Sequence, residues 1–426
     1  MASFSIERAS PGKSRGWPWM LATGTVIVAI LAGLAAFCSV WKGAPQAVLA
    51  IDGSNAKALA RQADQRLAAP KRAGVRQAAA LASESIRSQA INPQALRILG
   101  LALALDGKQA RAQHLMRLSE RLSRRNLGVH LWEIEKAVAA NDVRGALRHY
   151  DLALRTSKTA RSLLLERLVG ALSEPEIRAE LVPYVRTTTT WLPLFLSHAA
   201  ANRANGPALA QLAQRAGGLP DGEVYQRFEI AILGYLIDAG QFTKAQDFYQ
   251  TWRDVRPALL TSPTISPDSA SSRYAPVGWH LRSEPSYGAS FIGGGRPDRQ
   301  GSGMAIEAFA EPGFGGVVAS KPLLLAPGRY ALTFAFGEVT LPQGAYFGWA
   351  LRCIGQAGGF TIAIHKGQLA VAAQRSTVLP VEIPANCPGQ WLDLDARGGS
   401  GTANLVVTVD AANLVKLSSV SAPDGE

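Results

Sequence analysis

Sulfur and histidine are scarce in this chain: three cysteines, four methionines and six histidines among 426 residues. Three cysteines cannot form the dense cross-linking of a small disulfide scaffold. Cys38 sits in an apolar run behind bulky Phe37, which excludes a lipoprotein acceptor site and reads as apolar filler. Cys353 and Cys387 remain, both in strand-like sequence, and an oxidising compartment lets them pair. His114, His130, His149, His198, His280 and His365 show no HxH or HxxxH spacing, so no metal site and no cofactor is read from them. A GxSxG elbow and a Cys–His arrangement are also missing. The glycine clusters at Gly293–Gly295 and Phe314–Gly316 lie among strands rather than before a helix, as turns do and phosphate cradles do not. Asp393 and Asp395 share one face of an expected strand, reading as a sheet's wet side or a calcium site before a catalytic pair. The expectation is a protein that is not an enzyme.

Charge of one sign is short too. Lys and Arg number 44 against 32 Asp and Glu, a formal net charge of +12. The surplus is local: Asp52–Pro257 holds 29 basic against 19 acidic residues, and Ala258 onward 11 against 12. Long apolar runs are limited to one, Gly16–Trp41, which contains no charge. At about 1.5 Å per residue it is long enough for a hydrocarbon core of roughly 30 Å and is expected as a transmembrane helix. Trp17, Trp19 and Trp41 bracket it. Arg8, Lys13 and Arg15 precede it against Glu7, with Lys42 after it, so residues 1–15 are expected in the cytoplasm. The bulk then lies in the periplasm of a bacterial inner membrane. A cleaved signal peptide is the alternative, with room for cleavage near Ala44. Facing outward, the basic surplus suits anionic lipid headgroups or an acidic polysaccharide, not nucleic acid. Arg117, Arg121 and Arg124, with Arg125 beside them, fall on one helical face as an anion-binding stripe; neighbouring Glu120 keeps a solvated face as the alternative.

After a linker over 42–54, residues 55–257 carry apolar positions at three- and four-residue spacing with breaks such as NDV, SEPE and AGQF, the pattern of paired helices. Ala78, Ala112 and Ala146 recur every 34 residues. Gly100 and Ala112 let helices approach, Ala146 and Tyr150 repeat the small-then-aromatic pattern, and Ala245 and Tyr249 repeat it again. In these positions the region resembles the tetratricopeptide repeat family. The resemblance implies a solenoid of helical hairpins whose concave face binds peptides or partner proteins. Thr156–Leu219 departs from the register, with a threonine run over Thr187–Thr190.

Residues 258–275 are rich in Ser, Pro and Thr and read as an exposed linker. Residues 276–421 break into short strand-like runs between Gly and Pro, a β-sandwich pattern, and 422–426 form a tail. Tyr330, Leu332, Phe334 and Phe336 alternate onto one face. The Gly278-Trp279 opening and the LAPGRY turn resemble a jelly-roll carbohydrate-binding module. That likeness implies aromatic platforms for sugar rings, with Trp279, Tyr346, Phe347, Trp349 and Trp391 as candidates and core packing as the alternative for each. The expected fold class is multidomain: one amino-terminal transmembrane helix, an all-α TPR-like solenoid and an all-β jelly-roll-like sandwich. The layout is similar to membrane-anchored repeat proteins of bacterial exopolysaccharide synthesis and export. It implies a scaffold with a glycan-binding sandwich and protein partners in an envelope or export complex. A pure protein adaptor and a polysaccharide-acting enzyme are the alternatives.

Overall fold

The computed structural model describes residues 44–68, 72–293, 303–354, 360–367 and 376–417. The expected transmembrane helix at 16–41, Cys38 and the 422–426 tail lie outside them. Among the described residues no helix is long and apolar enough to cross a membrane. The longest, Arg72–Ser88, has 17 residues and carries Arg72, Arg76, Glu84 and Arg87, short of the roughly 20 apolar residues a span needs. The single-span fold class is therefore corrected to a helical region followed by a β-sandwich. The chain divides into two compact units, one ending at Ala160 and one beginning at Arg161, a division that falls inside the helical stretch.

In the first unit, seven helices follow one another: α1 (Pro45–Ile51), α2 (Ala56–Leu67), α3 (Arg72–Ser88), α4 (Pro93–Leu105), α5 (Gln109–Leu122), α6 (Leu127–Ala139) and α7 (Val143–Thr156). Their starts are set by side chains that satisfy free backbone N–H groups. Asn55 accepts from Ala58 N, Asn92 from Ala95 N ahead of Pro93, and Asp142 from Gly145 N. Helices pack pairwise, α2 with α3, α4 with α5 and α6 with α7. Ala60, Ala63, Ala78, Ala82 and Ala95 form a core with Ile98, and their small side chains allow close approach. Gly100 is needed for the same reason: a Cβ there would lie 3.3 Å from Met116 Cε and 3.4 Å from the Ala112 carbonyl oxygen. Ala112 and Ala146 are buried and Tyr150 is half-buried. Helix α5 ends at Leu122, so Arg124 and Arg125 lie in the turn beyond it. All four arginines are exposed, but no helical stripe joins them.

The second unit opens with α8 (Lys158–Gly170), which carries the junction, then α9 (Pro175–Arg186), α10 (Leu192–Ala200), α11 (Gly206–Ala216), α12 (Glu223–Asp238) and α13 (Phe242–Tyr249). Ala245 and Tyr249 are fully buried, and the Tyr249 hydroxyl accepts from Arg256 N at 3.0 Å. The Ser- and Pro-rich stretch after it is not an exposed linker. It folds into α14 (Ala258–Thr261), α15 (Pro267–Ala270) and a 3-10 turn at Ser272–Tyr274. Leu259, Leu260, Ile265 and Tyr274 are buried there, and Ser266 and Ser269 close a reciprocal capping box. Short apolar insertions among polar residues hid this packing from a reading by periodicity.

Ten strands follow among the described residues: β1 (His280–Leu281), β2 (Tyr287–Gly293), β3 (Met304–Ala310), β4 (Gly315–Leu323), β5 (Gly328–Thr340), β6 (Tyr346–Cys353), β7 (Phe360–Gly367), β8 (Ser376–Ile383), β9 (Gln390–Arg397) and β10 (Leu405–Lys416). They form two five-stranded antiparallel sheets, β1-β4-β9-β6-β7 and β2-β3-β10-β5-β8. Alternate residues of each meet in one core, among them Tyr330, Leu332, Phe334 and Phe336 of β5, as their alternation predicts. Cys353 and Cys387 are disulfide-bonded with Cα atoms 5.6 Å apart. Gly389 meets α13 so closely that a Cβ there would overlap the Phe242 ring.

Candidate functional site

Strand β9 sets the site. Leu392, Leu394 and Ala396 face the core, so strand parity turns Trp391, Asp393, Asp395 and Arg397 to the other face. Register places Ser320 of β4 and Ala350 of β6 beside Asp393, and Pro322 and Arg352 beside Trp391. Asp393 is 1% exposed, a costly place for a carboxylate unless it is fully partnered. It is: the Ser320 hydroxyl donates to it at 2.7 Å and Arg352 Nε donates to its other oxygen. Asp393 thereby holds Arg352 on this face.

Arg352 is about half exposed and leads into a groove of about 500 Å³ on this face, whose lining includes Trp391, Ser320, His280, Arg282 and Glu284. The His280 ring meets Trp391 edge-on, centroids 5.2 Å apart at 76°. Crowding by the surrounding protein holds the His280 imidazole below its ordinary range, with the Pro276 carbonyl opposing that effect. The groove thus offers one half-buried indole, two guanidinium groups, a carboxylate and a neutral imidazole.

Of the five aromatic candidates, three belong to the core. Trp279 is 5% exposed and donates from Nε1 to the Pro263 carbonyl at 3.1 Å. Phe347 and Trp349 are fully buried, and Trp349 stacks on Phe334 at 3.9 Å and 5°. Their parity on β6 is that of Leu351 and Cys353, inward, so no sugar face can reach them. Tyr346 and Trp391 face outward and are half-buried; Tyr346 lies across from Arg397, whose guanidinium sits 5.9 Å from its ring. His280, Arg282, Glu284, Ser320 and Arg352 carried no sequence signal, because separate strands and turns supply them. Of this face, the sequence yielded the shared parity of Asp393 and Asp395 and, separately, Trp391 as an aromatic candidate.

A second cavity, of about 440 Å³, lies among α9, α11 and α12 in the same unit. Its charges are already paired: Arg273 binds Glu229 at 2.7 Å and Asp254 at 2.8 Å while lying over Trp252. Burial raises Glu229 despite that arginine, whereas the more exposed Asp254 is lowered by its hydrogen bonds from Arg273. In the first unit, Glu120, His130 and His149, which show no metal-ligand spacing in sequence, bring ligand atoms within 4.8 Å of one another.

No protein-family model, the tetratricopeptide one included, matches the sequence, and no curated protein matches it. Solved structures similar to it include carbohydrate-binding β-sandwich modules. One is described as showing the promiscuous specificity of such modules from the β-sandwich superfamily: 12% identity, TM-score 0.25, 33% of this chain and 57% of that one. A Clostridium thermocellum xylanase 10B structure with a family 22 carbohydrate-binding module, complexed with xylohexaose, matches at 9% identity and TM-score 0.23, over 33% of this chain and 26% of that one. The carboxyl-terminal family 22 module of the same xylanase matches at 14% identity and TM-score 0.22, over 33% and 91%. The chain therefore spans less than two thirds of the first two, 57% and 26%, and similarity at this level assigns it no ligand.

Proposed function

We propose that this is a non-catalytic glycan-binding protein whose sandwich holds a polysaccharide segment in the groove beside Trp391. The observation that carries the reading is the outward, half-buried indole of Trp391 bordered by Arg352, Arg282, Glu284 and His280. An apolar ring with polar groups around it matches a pyranose, whose C–H face stacks while its hydroxyls hydrogen-bond. The groove volume is within the range of about 300–1,000 Å³ usual for ligand sites. Two arginines against one free carboxylate favour a polymer with acidic sugars, and the buried Asp393 holds one of those arginines in place. The Cys353–Cys387 bond fits an oxidising, extracytoplasmic compartment.

The test is affinity of the full chain for a panel of acidic and neutral polysaccharides across a salt series, with Trp391→Ala in parallel. Acidic members should bind more tightly, salt should weaken them, and the variant should lose roughly 10- to 100-fold, as expected for an aromatic hot spot. Absence of binding to every polymer turns the reading to a protein adaptor, which exposed Val378 and Val415 on the other sheet would serve.

A further inference from the structure

Three helices of the first unit bring one ligand-bearing side chain each to a common point. Glu120 comes from the last turn of α5, His130 from the start of α6 and His149 from the middle of α7. His130 is fully buried and His149 is 8% exposed. His130 Nε2 lies 2.8 Å from the Arg124 carbonyl oxygen, which can only accept, so Nε2 carries the proton and Nδ1 presents a lone pair. His149 Nδ1 lies 3.3 Å from that lone pair, and Glu120 Oε1 3.9 Å from His149 Nδ1.

A hydrogen bond between the two imidazoles accounts for part of this geometry. It does not account for Glu120, whose Oε1 lies 3.9 Å from His149 Nδ1, beyond hydrogen-bond reach, with its side chain 18% exposed. We propose that Glu120, His130 and His149 form a binding site for a divalent transition metal of the zinc class, joining α5, α6 and α7. In tetrahedral zinc with ligand bonds of about 2.0–2.1 Å, adjacent ligand atoms lie about 3.3 Å apart. The two imidazole nitrogens already have that separation, and the carboxylate, 3.9 Å from His149 Nδ1 and within 4.8 Å of the His130 nitrogen, closes on them by a side-chain movement of up to roughly 1.5 Å. A mixed nitrogen and oxygen set suits zinc, and the Arg124 carbonyl supplies the outer hydrogen bond that orients a ligating histidine. The fourth position belongs to water or an external ligand.

The test loads the metal-stripped full chain with Zn²⁺, dialyses it, and measures retained zinc by elemental analysis. One equivalent should remain, with a higher melting temperature than the stripped chain. Glu120→Gln and His149→Gln should each weaken zinc at least 10-fold, while His114→Gln and His198→Gln leave it unchanged. Retention below 0.2 equivalents (an order-of-magnitude threshold), or unchanged affinity in both cluster variants, overturns the proposal. Should those variants unfold, the visible spectrum of Co²⁺-loaded wild type decides: tetrahedral nitrogen and oxygen coordination upholds it, and an aquo-cobalt spectrum overturns it.

Discussion

The inner and outer faces of the β1-β4-β9-β6-β7 sheet come from the same strands, yet each holds the residue composition would assign to the other. A lysine, Lys321, lies on the inner face with no exposed surface, and a tryptophan, Trp391, lies on the outer face. Register explains both. Lys321 is paired with Leu392 and Pro322 with Trp391, so one residue along either strand reverses the face. The lysine is tolerated because its ammonium donates to the Leu259 and Val277 carbonyls of the packed segment before the sandwich. A polar group inside is therefore tolerated when backbone oxygens accept its hydrogen bonds, as Leu259 and Val277 do here. A group on the outer face, or in the Glu120–His130–His149 cluster, keeps capacity for a ligand.

The largest effect should come from the inner face. Trp349→Ala removes a fully buried ring stacked on Phe334 and should cost about 3–5 kcal/mol, read as a shift of the urea unfolding midpoint. A loss under roughly 1 kcal/mol would mean that the inner face is not the packed one.

Lys321 should give the intermediate effect, through pH. Burial lowers it from the ordinary 10.5 to about 7. Between those values the unfolded chain holds a proton that the folded chain has released, so stability must rise with pH across that window. From pH 7 to pH 9 the gain should be about 2–3 kcal/mol, at most 1.4 per unit, and Lys321→Met should abolish the slope. Calorimetric melting of both proteins at the two pH values measures it, and parallel curves would refute a buried, titrating lysine.

The smallest effect on folding belongs to the outer face. Trp391→Ala should change stability by less than about 1 kcal/mol while removing glycan affinity, so chemical unfolding and binding measured on one sample should separate. A fall in stability as large as that of Trp349→Ala would make Trp391 a packing residue and erase the distinction between the faces.

Much of the sandwich was readable from alternation: Tyr330, Leu332, Phe334 and Phe336 face inward as their spacing requires, and Cys353 and Cys387 meet. The groove was less so. Trp391 and Trp349 are both tryptophans in strand-like sequence, and only their parity against a known core separates platform from filler. The metal cluster was invisible to a search for short spacings, because residues 120, 130 and 149 become neighbours only when three helices pack.

By itself, the sequence determined the helical stretch followed by strands, the alternating core of β5, the pair of cysteines and the confinement of positive charge to the helical part. These follow from local periodicity and composition, which act over a few residues. Tertiary structure alone decided that Ala258–Ala275 packs rather than links, that Lys321 is inside and Trp391 outside, and that Glu120, His130 and His149 share one point. Those outcomes depend on strand register and helix pairing, where contacts between residues distant in the chain set which side chain meets which.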